Sequence, residues 1–110
     1  MRLVILESPF SGATTEEIAI NVEYAKRAVR DSLMRGESPA CSHLLFAQPG
    51  ILRDEVPEER RQGIMAGLAW GRVADCAVVY TDRGISPGMK MGIALHETQG
   101  LPIEYRQIGA

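Results

Sequence analysis

Two short loops rich in serine and glycine each follow an apolar, strand-like run and precede a helix-like segment. They contain Ser8-Pro9-Phe10-Ser11-Gly12 and Ser86-Pro87-Gly88-Met89. Hydroxyls and backbone N–H groups at a helix N-terminus can bind a phosphate or a carboxylate. An ordinary strand-to-helix turn also needs small residues and a cap, so the composition of the loops leaves both interpretations open. Neither loop has Walker or G-x-G-x-x-G spacing, which excludes the two common nucleotide-binding motifs.

Two titratable side chains belong with these loops. His43 lies in the predicted second strand, near its end, where it can contact a ribose or a phosphate or lie in the core. Asp82 comes just after the predicted third strand, where it can bind a ribose hydroxyl, transfer a proton or cap a turn. The sequence therefore predicts acid–base chemistry at a small-molecule site and leaves a structural role open for each residue.

The cysteine and histidine content argues against a metal centre. Cys41 and Cys76 lie singly in apolar segments without C-x-x-C spacing, and the chain has 2 histidines. Isolated cysteines in apolar segments are typically buried free thiols, as in a reducing cytoplasm. We therefore expect a cytoplasmic protein with neither a metal site nor a cofactor.

The elements that position these residues alternate between strand and helix. A capping box, Thr14-x-x-Glu17, precedes a helix whose apolar residues are spaced by three or four, and Gly36 is suited to end it. Pro57 begins the next helix, with two glutamates in its first turn. The predicted strands are residues 2–6, 40–46, 74–80 and 101–105, and the last predicted helix is residues 89–98.

This alternation predicts a single α/β domain over residues 1–110, with a parallel four-stranded sheet and helices on both faces. We expect the strand order 2-1-3-4, although alternation by itself does not establish it. In this order the first and third strands lie side by side. Both loops then face one crevice at the carboxyl ends of the strands, where ligands bind in such folds.

Composition limits the classes of partner. The chain has 110 residues, of which 45% are hydrophobic, and a net charge of −2 with acids and bases intermixed. Binding to a nucleic-acid polymer or a membrane surface would require a basic patch. No apolar run approaches the ~18 residues of a membrane-spanning helix. The first residues reach Glu7 and Ser8-Pro9 too early for a signal peptide, and we interpret them as a strand.

Several motifs follow one another in a recognisable order. They are Ser8-Pro9-Phe10-Ser11-Gly12, Asn21-x-x-x-Ala25, Ser42-His43-Leu44-Leu45, Ala74-Asp75-Cys76-Ala77-Val78-Val79, Ser86-x-Gly88-Met89 and Gly100-Leu101-Pro102-Ile103. Together they resemble the nucleoside 2-deoxyribosyltransferase-like superfamily, especially its small bacterial and phage members, over most of the chain. The resemblance implies a flavodoxin-like fold, dimers or larger oligomers, and cleavage or transfer at the N-glycosidic bond of a nucleoside or nucleotide.

The resemblance also implies roles for individual residues. In the superfamily a glutamate attacks the anomeric carbon, and the glycosyl-enzyme passes to water or to another base. Asp82 would lie near an acidic residue of the superfamily. Residues of the first loop would line the sugar or phosphate pocket: Ser8, Phe10 and Gly12. Residues of the second loop would hold the 5′ end of the substrate: Ser86, Gly88 and Met89.

The chain departs from the superfamily at the catalytic position. The superfamily's glutamate follows the glycine of the Ser-x-Gly loop by four residues, and that position is Gly92 here. A second acidic position, on the middle helix, is Gly67. Glycine inside a helix costs about 1 kcal/mol relative to alanine. We therefore hypothesise that Gly67 and Gly92 make room for a larger ligand or for a helix–helix contact in a dimer.

The predicted function is a nucleoside- or nucleotide-processing enzyme that acts on an N-glycosidic bond, as a 2-deoxyribosyltransferase or a nucleoside 5′-monophosphate N-glycosidase. Asp82 would be the acid or base, assisted by His43. The alternative is a non-catalytic module that senses or sequesters a small nucleotide, because Gly92 replaces the glutamate. A small interaction domain is a third interpretation.

We expect a homodimer or a larger homo-oligomer. The predicted substrate-binding residues are Ser8, Phe10, Ser11, Gly12, Ser42, Ser86, Gly88, Met89 and Gly92.

Overall fold

The computed structural model of the chain describes residues 1–109. Within them the elements follow in the order β1 (Arg2–Glu7), α1 (Thr15–Met34), β2 (Glu37–Ala40), α2 (Ser42–Leu45), α3 (Pro57–Trp70), β3 (Cys76–Tyr80), α4 (Pro87–Thr98) and β4 (Ile103–Arg106). Every strand after β1 is preceded by a helix, which is the predicted alternation. Across this described part of the chain, no helix combines the length and the apolar composition that crossing a bilayer requires.

The strands form one parallel sheet in the order β2-β1-β3-β4. The predicted fold class and strand order are therefore confirmed, and the molecule has the flavodoxin-like α/β fold. In the sheet, Ile5 lies between Ala40 of β2 and Ala77 of β3, and Ala77 lies opposite Ile103 of β4. Because β1 and β3 are neighbours, their carboxyl ends meet at the point where the strand order reverses.

Alternate residues of the central strands face two helical layers, since successive side chains of a strand point to opposite faces. On one face, Leu6 and Val78 pack with Ala28 of α1. On the other face, Val79 packs with Ile93 of α4, and α3 lies beside α4. This burial on both faces explains why β3 is a continuous apolar run in the sequence.

The first helix begins and ends at its sequence signals. Thr14 Oγ1 accepts a hydrogen bond from the N–H of Glu17 at 3.1 Å. The Glu17 carboxylate accepts a hydrogen bond from the N–H of Ala13 at 2.7 Å. In a standard capping box the donor would be the N–H of the cap residue itself, Thr14. Gly36, just after the helix, has a φ of 83°, a conformation that favours glycine.

The second strand is shorter and earlier than its apolar run predicts. The prediction of a strand over residues 40–46 is wrong, because β2 ends at Ala40 and residues 42–45 form the single turn α2. Periodicity does not distinguish a strand from a helical turn in a run as short as Leu44-Leu45-Phe46. β2 contains Pro39, which an edge strand tolerates. His43 consequently lies on α2 and not in the sheet.

Candidate functional site

A cavity of about 130 Å³ lies at the carboxyl ends of β1 and β2 and is bounded by α3 and α4. The loops after β1 and β3 both reach it, so it occupies the crevice that the strand order predicts. The predicted site residues that line it are Ser8, Phe10, Ser11, Ser42, His43, Ser86, Gly88, Met89 and Gly92. Two other predicted residues, Gly12 and Asp82, do not line this cavity.

Asp82, predicted as the acid or base, has a structural environment instead. Its Oδ1 accepts a hydrogen bond from the hydroxyl of Tyr24 at 2.6 Å. Its carboxylate also accepts from the N–H groups of Ile108 and Gly109, at 2.9 to 3.1 Å. Burial acts to raise the pKa of Asp82, but these hydrogen bonds outweigh it and hold the pKa below its usual value. Asp82 therefore ties the residues after β4 to α1, and we assign it no role in the cavity.

The cavity contains a carboxylate that the sequence patterns did not single out. Glu7, the last residue of β1, lines the cavity with a side chain that is 20% exposed. A Cβ atom at Gly92 would lie 2.8 Å from Oε2 and 3.0 Å from Cδ of Glu7. The carboxylate of Glu7 therefore fills the space beside Gly92. The available sequence signal was an acidic residue directly between a buried strand and the first loop, at the strand end where α/β folds bind ligands.

His96 of α4 contacts this carboxylate from the buried side. Its Nε2 lies 2.7 Å from Oε2 of Glu7, and its side chain is 2% exposed. The geometry fits a hydrogen bond in which Nε2–H of His96 donates to Oε2 of Glu7. The other ring nitrogen, Nδ1, has no hydrogen-bond partner among residues 1–109.

His43 contributes a neutral imidazole to the cavity. Its Nε2 lies 3.2 Å from Oγ of Ser8, and its ring centroid is 5.1 Å from that of Phe10. Burial lowers the pKa of His43 to about 4. At neutral pH His43 can therefore accept a proton or a hydrogen bond, but it does not carry the extra proton of an imidazolium.

The second loop brings together a helix N-terminus and an arginine. Ser86 caps α4, and its Oγ accepts a hydrogen bond from the N–H of Met89 at 3.2 Å. Arg60 of α3 lines the same cavity, and its Nη2 lies 3.6 Å from where a Cβ of Gly88 would be. Its Nη1 also lies 3.3 Å from Oδ2 of Asp54. The positive end of α4 and the guanidinium together suit an anionic group.

Two further glycines are explained by packing within the chain. A Cβ at Gly12 would lie 2.6 Å from the Cβ of Glu17, where α1 begins. A Cβ at Gly67 would lie 2.9 Å from the Cβ of Ser42, so this glycine admits the α2 turn. The hypothesis that Gly67 and Gly92 make room for a larger ligand or a second copy is therefore unnecessary, because Ser42 and Glu7 fill those spaces.

The cysteines offer no reactive group to the site. Cys41 and Cys76 are both buried free thiols. Burial raises the pKa of Cys41 to about 12 and also raises that of Cys76, so neither is a thiolate at neutral pH. Across residues 1–109, no three histidine, cysteine or acidic side chains are grouped as metal ligands would be.

Comparison with known proteins places the fold and the family. The structure of a 2-deoxyribosyltransferase from the psychrotolerant bacterium Bacillus psychrosaccharolyticus is similar to this chain, with a TM-score of 0.64 and 20% sequence identity, over 96% of this chain and 72% of that one. At this identity the likeness shows a shared fold. No curated protein matches the chain. A family model described as a domain of unknown function, DUF7768, matches residues 2–106, and the chain therefore belongs to the DUF7768 family.

Proposed function

We propose that this chain binds a nucleoside or nucleotide in the cavity and cleaves its N-glycosidic bond, passing the sugar to water or to another base. The observation that carries the proposal is the carboxylate of Glu7 in a cavity lined by two serine-containing loops. The fold likeness to a 2-deoxyribosyltransferase supports the same class of substrate.

The cavity has room for one ring of such a substrate. A cavity of about 150 Å³ holds one benzene molecule, so a cavity of about 130 Å³ has room for a ring the size of a pentose. The polar groups of Glu7, Ser8 and Ser42 in its lining match the hydroxyls of a sugar. We therefore place the sugar in the cavity, with the base extending toward solvent.

In the proposed reaction, Oε1 of Glu7 forms a bond to the anomeric carbon. The C–N bond breaks, its electron pair stays on the base, and the base takes up a proton. Water or a nitrogen of a second base then attacks the anomeric carbon and releases Glu7 as a carboxylate. The base takes its proton from water, because the carboxylates of Asp54 and Glu59, which also line the cavity, already accept hydrogen bonds from Arg60 and from the N–H of Arg53. Neutral His43 is the candidate base that would accept a proton from the attacking water.

We assign the 5′ end of the substrate to the second loop and to Arg60. Ser86, Gly88 and Met89 line the cavity at the N-terminus of α4, and the guanidinium of Arg60 lies beside Gly88. A 5′-phosphate placed there would meet the positive N-terminal end of α4 and a positive side chain. We therefore expect 5′-monophosphates to bind more tightly than the corresponding nucleosides.

A thermal-shift panel tests this function. The panel contains nucleosides, deoxynucleosides and their 5′-monophosphates, and each mixture is then separated by chromatography to detect released base. We expect stabilisation together with base release for at least one compound. In the Glu7→Gln variant, stabilisation should persist while base release falls by about 10³-fold or more, because the amide is not a nucleophile. Unchanged release in Glu7→Gln would contradict the role of Glu7.

A second candidate function is a non-catalytic module that senses or sequesters a small nucleotide. The observation that favours it is the hydrogen bond between Glu7 and His96, because this carboxylate already has a partner without a substrate. Stabilisation of the wild-type protein by a nucleotide, without release of base, would identify this function and contradict the enzymatic one.

We also propose that the chain works in the cytoplasm, on small molecules and not on nucleic-acid polymers or membranes, as a homodimer or larger assembly. The intermixed charges and the net charge of −2 support small-molecule partners. The two buried free thiols support a reducing compartment.

A further inference from the structure

Gly92 and His96 lie one helical turn apart on α4, and both lie beside the carboxylate of Glu7. A Cβ at Gly92 would lie 2.8 Å from Oε2 and 3.1 Å from Oε1 of Glu7. The Nε2 of His96 lies 2.7 Å from the same Oε2. Residues four apart project from one face of a helix. This face of α4 therefore presents a gap and a hydrogen-bond donor side by side to the end of β1.

The gap at Gly92 depends on the absence of a side chain. Glycine is less favourable than alanine inside a helix, so its presence in the middle of α4 calls for a reason. A Cβ only 2.8 Å from a carboxylate oxygen would force the side chain of Glu7 to move. Glycine at this position therefore leaves the carboxylate where it is.

The donor at His96 is restricted to one orientation. Its side chain is 2% exposed, and its Nδ1 has no hydrogen-bond partner within residues 1–109. A proton on Nε2 makes this nitrogen the hydrogen-bond donor to Oε2 of Glu7. Oε2 is then held, and Oε1 is left for a ligand.

We propose that Gly92 and His96 are positioning residues for Glu7. Gly92 admits the carboxylate, and His96 holds its Oε2, so that Oε1 is the oxygen that meets the anomeric carbon. The catalytic consequence rests on the function proposed above. The steric contact and the hydrogen bond are properties of the protein alone, and they can be measured without a substrate.

The steric part is tested by the melting temperature of four proteins: wild type, Gly92→Ala, Glu7→Ala and the double variant. Gly92→Ala should lower Tm in the wild type, because the new methyl group meets the carboxylate. In the Glu7→Ala background the same substitution should raise Tm by about 4 °C, since only the gain in helix propensity remains. The same effect of Gly92→Ala in both backgrounds would overturn the steric contact.

The hydrogen bond is tested by long-range ¹H–¹⁵N correlation spectra of the histidine rings. His96 should appear protonated on Nε2 in the wild type, and its ring shifts should change in Glu7→Ala, because the acceptor is removed. His43 serves as the internal reference in the same spectra. A His96 ring that carries its proton on Nδ1, or that does not respond to Glu7→Ala, would overturn the hydrogen bond.

The catalytic consequence is tested with a matched pair of variants and the substrate that the panel identifies. His96→Gln keeps an N–H donor at a similar distance, whereas His96→Met has a similar volume and no donor. We expect His96→Met to lower kcat by about 100-fold with KM changed by less than about threefold, and His96→Gln to recover most of the loss. Equal losses in the two variants would overturn the positioning role.

These measurements separate the two proposals. If no compound in the panel releases a base, the enzymatic function has failed, and the melting temperatures and ring spectra still decide whether Gly92 and His96 position Glu7. If base is released but neither Glu7→Ala nor His96→Met changes the rate, the positioning inference has failed while the enzymatic function stands.

Discussion

His43 and Asp82 are each compatible, by residue type, with acid–base chemistry or with a structural role, and their neighbours separate the two. His43 lies in the cavity next to Ser8 and Phe10, and its burial keeps the imidazole neutral at pH 7. Asp82 accepts hydrogen bonds from Tyr24 and from backbone N–H groups after β4. Of the two, only the histidine lines the cavity.

Substitution of Asp82 should affect stability and not catalysis. Asp82→Ala removes the acceptor for the Tyr24 hydroxyl and for the N–H groups of Ile108 and Gly109. We expect the free energy of unfolding to fall by about 1–2 kcal/mol, with base release per folded molecule unchanged. Urea unfolding and the chromatographic assay measure the two quantities. A large loss of base release in a fully folded Asp82→Ala protein would return Asp82 to the catalytic residues.

Titration of His43 should make the protein less stable in mild acid. The native ring binds a proton only near pH 4, whereas in the unfolded chain it does so below about pH 6.5. Between these values the unfolded state binds more protons, so the free energy of unfolding falls as the pH is lowered. From pH 7.5 to pH 5, His43 should account for a loss of about 2 kcal/mol.

The His43→Gln variant isolates this contribution. Its free energy of unfolding, measured in urea at pH 7.5 and pH 5, should fall by less than that of the wild type. A hydrogen bond from Arg106 lowers the pKa of Glu37 to about 2. The stability that this pair contributes is lost only below about pH 4.5, so it does not change between pH 7.5 and pH 5. Identical pH dependence in the two proteins would show that His43 is not buried in the neutral form.

At the level of elements, the site depends on how closely three helices approach the strand ends. β1 supplies Glu7, and α4 supplies Gly92 and His96 to receive it. α3 approaches α2 through Gly67, which lies against Ser42. Since His43 follows Ser42 on the α2 turn, the position of the imidazole in the cavity depends on this helix contact.

The two glycines inside α3 should respond to alanine with opposite signs. A Cβ at Gly67 would lie 2.9 Å from the Cβ of Ser42, whereas a Cβ at Gly63 would meet only Cδ1 of Leu52 at 3.4 Å. Gly63→Ala should therefore stabilise the protein by up to about 1 kcal/mol through helix propensity. Gly67→Ala should destabilise it by about 1 kcal/mol, because overpacking outweighs the same gain.

Urea unfolding of the two variants provides the comparison, and Gly63→Ala is the matched control because the chemical change and the helix are the same. Stabilisation by both substitutions would show that α2 can move away from α3 at little cost. The proposed dependence of His43 on this packing would then be incorrect.

At the scale of the whole molecule, α3 leaves large apolar side chains in contact with solvent. Met65 is 61% exposed, Trp70 is 54% exposed and Val73, just beyond the helix, is 60% exposed. Leu45 of α2 and Trp70 line a small cleft together, so the apolar surface continues onto the neighbouring turn. Apolar surface of this kind is typical of a protein–protein contact.

We expect the chain to self-associate through this surface. If the chain self-associates there, Trp70→Glu should give a monomer, because it places a charge on the apolar surface that Trp70 shares with Leu45. Sedimentation velocity at micromolar concentration measures the change. Ile20→Glu makes the same kind of substitution at an exposed position on α1 and should leave the assembly intact. A wild-type chain that sediments as a monomer at all concentrations tested would contradict this expectation.

Much of the fold could be predicted from the sequence, because its signals are local or periodic. The cap at Thr14, the glycine at position 36 and the uninterrupted apolar run of β3 each act within a few residues. The alternation of strands and helices then restricts the topology, since parallel strands need crossover connections. The predicted strand order also implied that the two serine-containing loops, which follow β1 and β3, lie at the same edge of the sheet. Residues of both loops line one cavity.

Only the tertiary structure shows that the carboxylate of Glu7 lines that cavity beside His96. Glu7 and His96 are separated by 89 positions in the chain, so no local pattern relates them. The space that a glycine leaves at position 92 is explained only by the carboxylate of Glu7, which β1 brings beside α4. Asp82 follows β3, whose carboxyl end lies beside that of β1. Its hydrogen-bond partners, however, are Tyr24 and Ile108, which come from distant segments of the chain. Side-chain contacts between distant segments depend on packing that periodicity does not encode. The sequence by itself therefore determined at which end of the sheet the cavity lies. Only the tertiary structure decided which side chains line it.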